Sequence, residues 1–309
     1  MDTKARQILC DKFLSVLEKG YIPWEQDWVV DTNVHQNAIT KVEYTGLTRM
    51  ILSMECRKNP NWVTKSQATK KGWEIKENAR PVLVEKFCMQ SKEKPEEVIE
   101  IDEFLKLALD KPNLAHYYNK IPVAYFLYNI LDIKNVPEKY KQKQKKVNSV
   151  NKGKIHELPK LLHVGIVEGQ EDTAFYKPLE DEVHIPAKES YHSEYSYLAV
   201  KLHELCHSTG NAKRLDRSYL YKNKADYAFG SEGYAKEELR AEIASAFLMQ
   251  DLGLKPNKKE LTNHMGYVQS WVRILQKEKK ELSLAIDDAY KIESYILDKL
   301  GENKLTRSH

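Results

Sequence analysis

The chain has few of the features that mark secreted or membrane proteins. Its 309 residues hold four cysteines, Cys10, Cys56, Cys88 and Cys206. They are widely spaced and form no Cys-x-x-Cys pair, which excludes a dense disulfide framework and suits reduced thiols in a cytoplasmic protein. No apolar run approaches the ~20 residues that span a bilayer. The longest candidate, 121–133, is broken by Pro122, Asn129 and Asp132. No apolar core follows Met1-Asp-Thr-Lys-Ala-Arg-Gln7, so no secretion signal is visible. No internal repeat is evident, and the net charge is only +4.

What is there reads as a soluble, globular chain. Apolar residues make up 41% and charged residues 30%, a balance that folds rather than stays disordered. The length allows two domains of ordinary size. Lys134 to Lys160 holds nine lysines against Glu138 and Glu157. This stretch reads as a linker or exposed loop over 136–157, with binding to a nucleic-acid backbone as the alternative. It divides the chain into 1–135 and 158–309.

The first part reads as mixed α+β. Lys4 to Leu17 predicts an amphipathic helix ending at Gly20. Leu47 to Cys56 predicts a short helix. Trp62 to Lys71 predicts another, with Thr64 as its cap and Gly72 as its stop. Strands are expected over 81–89 and 121–130, with a helix over 96–109 inserted between them. Four of the five tryptophans, Trp24, Trp28, Trp62 and Trp73, fall in the first 75 residues among Arg49, Lys65, Lys70, Lys71 and Lys76. Single-strand binders combine basic grooves with exposed rings, because any base stacks on a ring. The competing reading is that the tryptophans fill a small core.

The chemistry concentrates in the second part, at His203-Glu204-Leu-Cys-His207. Histidines four apart on a helix are separated by about 40° around its axis, so both imidazoles reach one metal ion. Glu204 can then hold a metal-bound water and take its proton. A catalytic zinc keeps three protein ligands and one open position. The third is expected on the helix Tyr234 to Met249, which carries Glu237, Glu238 and Glu242. Glu238 and Glu242 share a face, and Glu237 points about 100° away from Glu238. On spacing alone, which of Glu238 and Glu242 binds the metal and which supports a histidine stays open. The bland readings are two ordinary helix histidines and a solvated acidic face paired with Lys236 and Arg240. Cys206 reads as a small buried residue, with metal binding or redox sensitivity as alternatives. Zinc suits the ligand set, and manganese or cobalt would also be accepted. Strands are expected over 161–167 and in a hairpin formed by 174–178 and 181–186. Val183 to Ile185 is expected as an edge along which an extended substrate pairs, with His184 on its surface. Two core-forming helices are expected over 270–276 and 283–300.

These motifs together resemble the ArdC-type antirestriction proteins of conjugative plasmids and transposons. The resemblance rests on Gly20-Tyr-Ile-Pro23-Trp24, Tyr44-Thr-Gly46-Leu47, Trp62-Val-Thr-Lys-Ser-Gln67-Ala68 and Gly72 in the first half. In the second half it rests on Tyr176-Lys-Pro178, Asp181, Pro186, the stretch His203 to Gly210, Arg214-Leu-Asp-Arg217, Tyr234 to Glu242, and Tyr267-Val-Gln-Ser-Trp271. Thr48 stands where the family usually has Asn, and the segments 93–111 and 138–154 look peculiar to this branch. The resemblance implies an N-terminal single-stranded-DNA-binding domain followed by a zincin-like metallopeptidase domain. It implies DNA contacts at Trp24, Trp28, Tyr44, Trp62, Lys65, Gln67 and Lys71. It implies metal binding by His203, His207 and Glu238, with Glu204 as base and Glu242 behind a ligand. The implied partners are single-stranded DNA and a protein substrate, either a restriction-system subunit or a DNA-bound protein, with no membrane. The implied role is protection of incoming mobile-element DNA during conjugation. The alternative is a strand-coating protein whose metal domain is a non-catalytic scaffold.

Overall fold

The computed structural model describes residues 3–23, 34–142, 152–220, 228, 230–254 and 265–302. They divide into two compact units. Residues 3–5 and 34–142 form the first, and residues 6–23 together with those from 152 onward form the second. Helix α1 (Lys4–Leu17) therefore belongs, from Arg6, to the second unit. Among the described residues no helix is long and apolar enough to cross a membrane.

The first unit is built on a five-stranded sheet. Its elements are β1 (Gln36–Asn37), α2 (Gly46–Ser53), β2 (Asn61–Thr64), α3 (Lys65–Lys70), β3 (Glu74–Ile75), β4 (Val82–Ser91), β5 (Val98–Glu100), α4 (Ile101–Asp110), β6 (Tyr118–Asn129) and β7 (Ile133–Lys134). The strand order is β1-β2-β6-β4-β5, with β1 parallel to β2 and every other pair antiparallel. The long β4–β6 ladder runs from Val82 opposite Leu127 to Ser91 opposite Tyr118. Strands β3 and β7 form a separate two-stranded piece.

Residues 62–64 depart from the helix expected over 62–71. Trp62 and Val63 are fully buried in β2 and pair with Asn129 and Tyr128. The helix begins only at Lys65. Thr64 accepts from the Gln67 amide, and Gln67 reaches back to the Thr64 amide, a reciprocal cap that separates strand from helix. Gly72 ends this segment with φ +69°, a left-handed conformation that favours glycine.

Among the described residues, the second unit packs six α-helices, α1 among them, with a small sheet. Helix α5 (Lys152–Leu162) is followed by β8 (Gly165–Glu168), β9 (Phe175–Lys177) and β10 (Glu182–Ile185). Then come α6 (Glu194–Ser208), α7 (Glu232–Asp251), α8 (Met265–Lys277) and α9 (Lys280–Lys299). Helix α5 reaches into the stretch read as a linker. Ile155, Leu158 and Leu162 recur at helical spacing and are buried, which anchors the lysine-rich segment from 152 onward. The rest of that stretch, 143–151, lies outside the described residues.

Strand β10 is central in the order β8-β10-β9. It pairs parallel with β8 and antiparallel with β9, so Val183 to Ile185 is not the free edge expected for a substrate strand. Both sides of its main chain are already engaged. His184 is likewise not on the surface: it is buried and stacks on Phe175 at 4.8 Å. Helices α6 and α7 pack together, and α7 is tied to α9 through Arg240. Its guanidinium is 1% exposed and donates to Glu281 at 2.7 Å and Asp288 at 2.8 Å.

Candidate metal centre

Helix α6 starts at Ser193, whose hydroxyl accepts from the Ser196 amide. It then runs unbroken through His203, Glu204 and His207. Helix α7 starts at Ser231, capped in the same way through Tyr234, and carries Glu237, Glu238 and Glu242. The packing of α6 on α7 brings the two motifs together.

The two imidazoles stand nearly perpendicular, with ring centroids 4.7 Å apart and an interplanar angle of 83°. Their Nε2 atoms are 3.0 Å apart. Glu238 closes the triangle, with its carboxylate oxygens 3.4 Å from His203 Nε2 and 3.3 Å from His207 Nε2. Zinc bonds of about 2.1 Å in a tetrahedron put neighbouring ligand atoms about 3.4 Å apart. The nearest contacts lie close to that spacing, with a different Glu238 oxygen facing each histidine, and one ligand atom from each residue falls within 4.8 Å of the others. Among the described residues, His203, His207 and Glu238 are the group of metal-ligating side chains whose atoms converge in this way.

Each histidine has a carboxylate behind it. Glu242 Oε1 lies 3.7 Å from His203 Nδ1, and Glu237 Oε1 lies 3.3 Å from His207 Nδ1. Such partners orient the ring and raise its basicity toward the metal. Glu237 was not among the expected supporting residues, because its helical angle sets it apart from Glu238. It earns its place through the packing partner. Arg217, 3% exposed at its side chain, donates to both Glu237 oxygens, with Nε at 2.8 Å from Oε2. Arg217 also donates to Thr209 Oγ1 at 2.7 Å and to the Cys206 carbonyl at 3.0 Å, which ties the turn after α6 to α7. The signal for this device in the sequence is Arg214-Leu-Asp-Arg217.

The electrostatics divide the carboxylates by task. Burial pushes the Glu237 carboxyl up, but Arg217 and His207 outweigh it and hold the group down at about 2. Glu238 is likewise held far below the carboxylate range, because the two histidines outweigh its burial. Glu204 goes the other way: burial dominates and raises it. A raised carboxylate beside a candidate metal position has the character of a general base. Burial lowers the histidines, but the surrounding carboxylates, Glu242 and Glu238 foremost, outweigh it and raise both. Cys206 is fully buried and burial pushes its thiol up, so it packs the helix rather than offering a thiolate.

The residues expected to touch DNA fall into different settings. Trp24 and Trp28 lie outside the described residues. Trp62 has no exposed ring, and its indole N–H donates to His35 Nδ1 at 3.0 Å, so it has no face to offer a base. Trp73 is also buried, in a cluster with Ala38, Val63, Ala68, Ile130 and Ile133. Gln67 is half-buried, and its Oε1 accepts from the Thr64 amide and from Asn37 Nδ2. Tyr44 is half-buried, and Lys65 and Lys71 are exposed.

Residues 3–125 match the N-terminal domain of the anti-restriction factor ArdC, and residues 154–288 match a zincin-like metallopeptidase domain. The chain joins an ArdC-type domain to a zincin-like domain. It is 32% identical to two Escherichia coli proteins named DNA primase TraC, over 301 and 300 residues. Those matches take in 94% of this chain but only 20% and 26% of the relatives, so it spans about a quarter of their length or less. An uncharacterised Sinorhizobium fredii protein is 32% identical over 123 residues. Among solved structures, the chain is similar to metal-free ArdC of plasmid R388, with a TM-score of 0.72 and 23% identity, covering 98% of this chain and 100% of that one. The Mn(II)-bound form of that protein matches with a TM-score of 0.71, covering 97% and 99%. At this identity the likeness shows the fold. The zincin-like domain implies zinc, and a solved relative of the same fold holds manganese.

Proposed function

We propose that the chain is an antirestriction protein that binds single-stranded DNA through its ArdC-type part and carries a metallopeptidase site in its zincin-like part. The observation that carries this reading is the convergence of ligand atoms of His203, His207 and Glu238 to within 4.8 Å of one another, with Glu204 beside them and an ArdC-type domain on the same chain. His203, His207 and Glu238 would hold the ion. Bound there, the metal would polarise a carbonyl and acidify a water. Glu204, raised by burial, would accept the proton and pass it to the leaving amine. Glu242 and Glu237 would hold the two rings in register. The substrate would be a restriction-system subunit or another DNA-bound protein in the cytoplasm, and its cleavage would protect incoming DNA.

A second reading has its own support. The expected substrate edge, Val183 to Ile185, is paired on both sides. A protein that coats the strand and uses the zincin-like part as a scaffold needs no such edge. Glu204→Gln separates the two. On the peptidase reading it keeps metal and DNA but loses cleavage of restriction-complex subunits, and with it protection against restriction in conjugation. Protection that survives this change would sink hydrolysis as the mechanism. Single-strand affinity should fall as salt rises, since backbone contacts release counterions; a salt-independent or duplex-only affinity would reject the DNA reading.

A further inference from the structure

The first unit contains a cavity of about 220 Å³. Its walls include Tyr44, Thr48, Lys86, Glu100, Asp102 and Tyr125. The Tyr44-Thr-Gly46-Leu47-Thr48 stretch supplies one side. Gly46 takes φ +50°, which turns the chain into α2 so that Tyr44 before the turn and Thr48 after it both line the space. Strands β4 and β6 supply Lys86 and Tyr125, and the start of α4 supplies Glu100 and Asp102.

We propose that this cavity takes one unstacked base of a bound single strand, and that it favours a base carrying an exocyclic amino group. The proposal rests on the single-strand reading above. Size permits it: a cavity of about 150 Å³ already holds benzene. Charge selects it. Glu100 and Asp102 repel a phosphate. Lys86 is paired with Glu100, and with Glu85 also in the wall the lining is net acidic, which suits a ligand edge that donates hydrogen bonds. Phe87, Ile101 and the two tyrosine rings make the rest of the wall apolar, which suits the faces of a flat ring. Acidic and apolar walls together suit a flat heterocycle that carries an amino donor on its edge.

The groups available match such an edge. The Tyr125 hydroxyl makes no hydrogen bond among the described residues, and its ring is steadied by Lys86 Nζ at 5.6 Å from the centroid. Tyr44 accepts from Asn37 Nδ2 at 3.4 Å, and Asn37 is itself bonded to Gln67 at 3.0 Å. Burial raises both phenols, Tyr44 to about 12 and Tyr125 further, so both remain donors at neutral pH. Glu100 precedes α4 without capping it; its carboxylate pairs with Lys86 instead. The first-turn amides of α4 are thus left without a cap from Glu100, and they suit an acceptor on the base. The carboxylates of Glu100 and Asp102 suit an amino group, as acidic side chains do when they read cytosine. The tyrosine rings add stacking, as aromatic platforms do in single-strand binders.

The test uses the full chain, metal-loaded, with labelled oligonucleotides of equal length at fixed salt. The expected result is tighter binding of oligo-dC than of oligo-dT, by about tenfold for one paired base edge. The Glu100→Gln/Asp102→Asn variant should lose that preference, and Tyr125→Phe should shrink it, both with unchanged oligo-dT affinity and an unchanged melting curve as the sign of an intact first unit. A 2-aminopurine placed within oligo-dT should change its fluorescence on binding to the wild type and less so on binding to Tyr125→Ala. Equal affinity for dC and dT, unaltered by these variants, would overturn the cavity proposal while leaving single-strand binding in place. Failure to bind any single strand would overturn the parent reading as well.

Discussion

Glu237 and Glu242 stand behind the two histidines, one to each ring, but they are held differently. Glu242 sits at an ion-pair separation of 3.7 Å from His203, whereas Glu237 is 3.3 Å from His207 and is itself gripped by Arg217. Glu237→Gln keeps the shape and removes the charge. It leaves the Arg217 guanidinium buried without its counter-charge, which costs about 3–5 kcal/mol. It also loosens His207, which lowers metal affinity by about 10- to 100-fold. Denaturant unfolding and a competitive metal titration measure the two effects; metal affinity equal to wild type would detach Glu237 from the site. Asp181 offers a cleaner electrostatic test, because it is not part of the metal cluster. It accepts from Tyr176 at 2.8 Å and from Arg214, whose side chain is 3% exposed. Burial pushes its carboxyl up, but Arg214 and Tyr176 outweigh it and hold it below its ordinary value. A depressed carboxylate contributes stability that is present above its unfolded pKa and lost as pH falls through the folded one. The melting temperature should therefore hold down to about pH 4 and drop below it. Asp181→Asn should melt lower at neutral pH and show a shallower acid loss. Asp181 has φ +57°, a conformation asparagine also tolerates, so the change isolates the charge. An acid profile unchanged by the substitution would reject the assignment.

At the scale of elements, caps decide where strand gives way to helix. The Thr64–Gln67 reciprocal bonds stop β2 and start α3 within one residue. Thr64→Ala should cost about 1 kcal/mol, read as a melting-temperature drop of about 2–4 °C. A melt indistinguishable from wild type would mean that packing alone sets this boundary. The cap itself was legible in the sequence, since Thr64 precedes a run with glutamine three residues on. The strand before it was not. Trp62 and Val63 make too short a run to show a period, and only pairing with β6 reveals them. Long helices were legible for the opposite reason: α1, α6, α7 and α9 hold a helical pattern over three turns or more. The central position of β10 was hidden because strand order is a tertiary fact. Its apolar Val183 and Ile185 suit an edge or a middle strand equally. At the site, spacing pairs His203 with His207 beside Glu204 and puts Glu238 and Glu242 on one face; the choice of Glu238 comes from the resemblance of Glu238-Leu-Arg-Ala-Glu242 to a zincin motif. Glu237 does not follow from spacing, because helical angles relate it to Glu238 but not to a histidine on another helix.

At the scale of the molecule, the two units do not follow the order of the chain. Helix α1 is encoded at the start but packs with the second unit. Arg6 donates to Ser283 at 3.2 Å, Asp11 pairs with Lys279 at 2.6 Å, and Glu18 accepts from Gln276 at 3.0 Å. Its apolar face, Leu9, Phe13, Leu14 and Leu17, is buried. Four such side chains are worth about 6–12 kcal/mol of burial, a sum comparable to the whole stability of a typical domain. A cut within 143–151 would therefore give unequal halves. Residues 144–309 alone would keep the metal residues but lose α1 and Glu18 after it, which bond to Gln276 of α8, Ser283 of α9 and Lys279 between them. That fragment should melt well below the full chain, and a synthetic peptide spanning residues 4–20 should raise its melting temperature in proportion to the logarithm of peptide concentration. A fragment that melts at the same temperature with and without the peptide would show that α1 contributes nothing to the second unit. The same logic governs DNA-binding fragments. A piece ending near 140 carries α1 away from the residues it bonds to in the second unit, so residues 1–142 should keep single-strand affinity but aggregate more readily than the full chain. Light scattering alongside the binding isotherm separates lost affinity from lost protein.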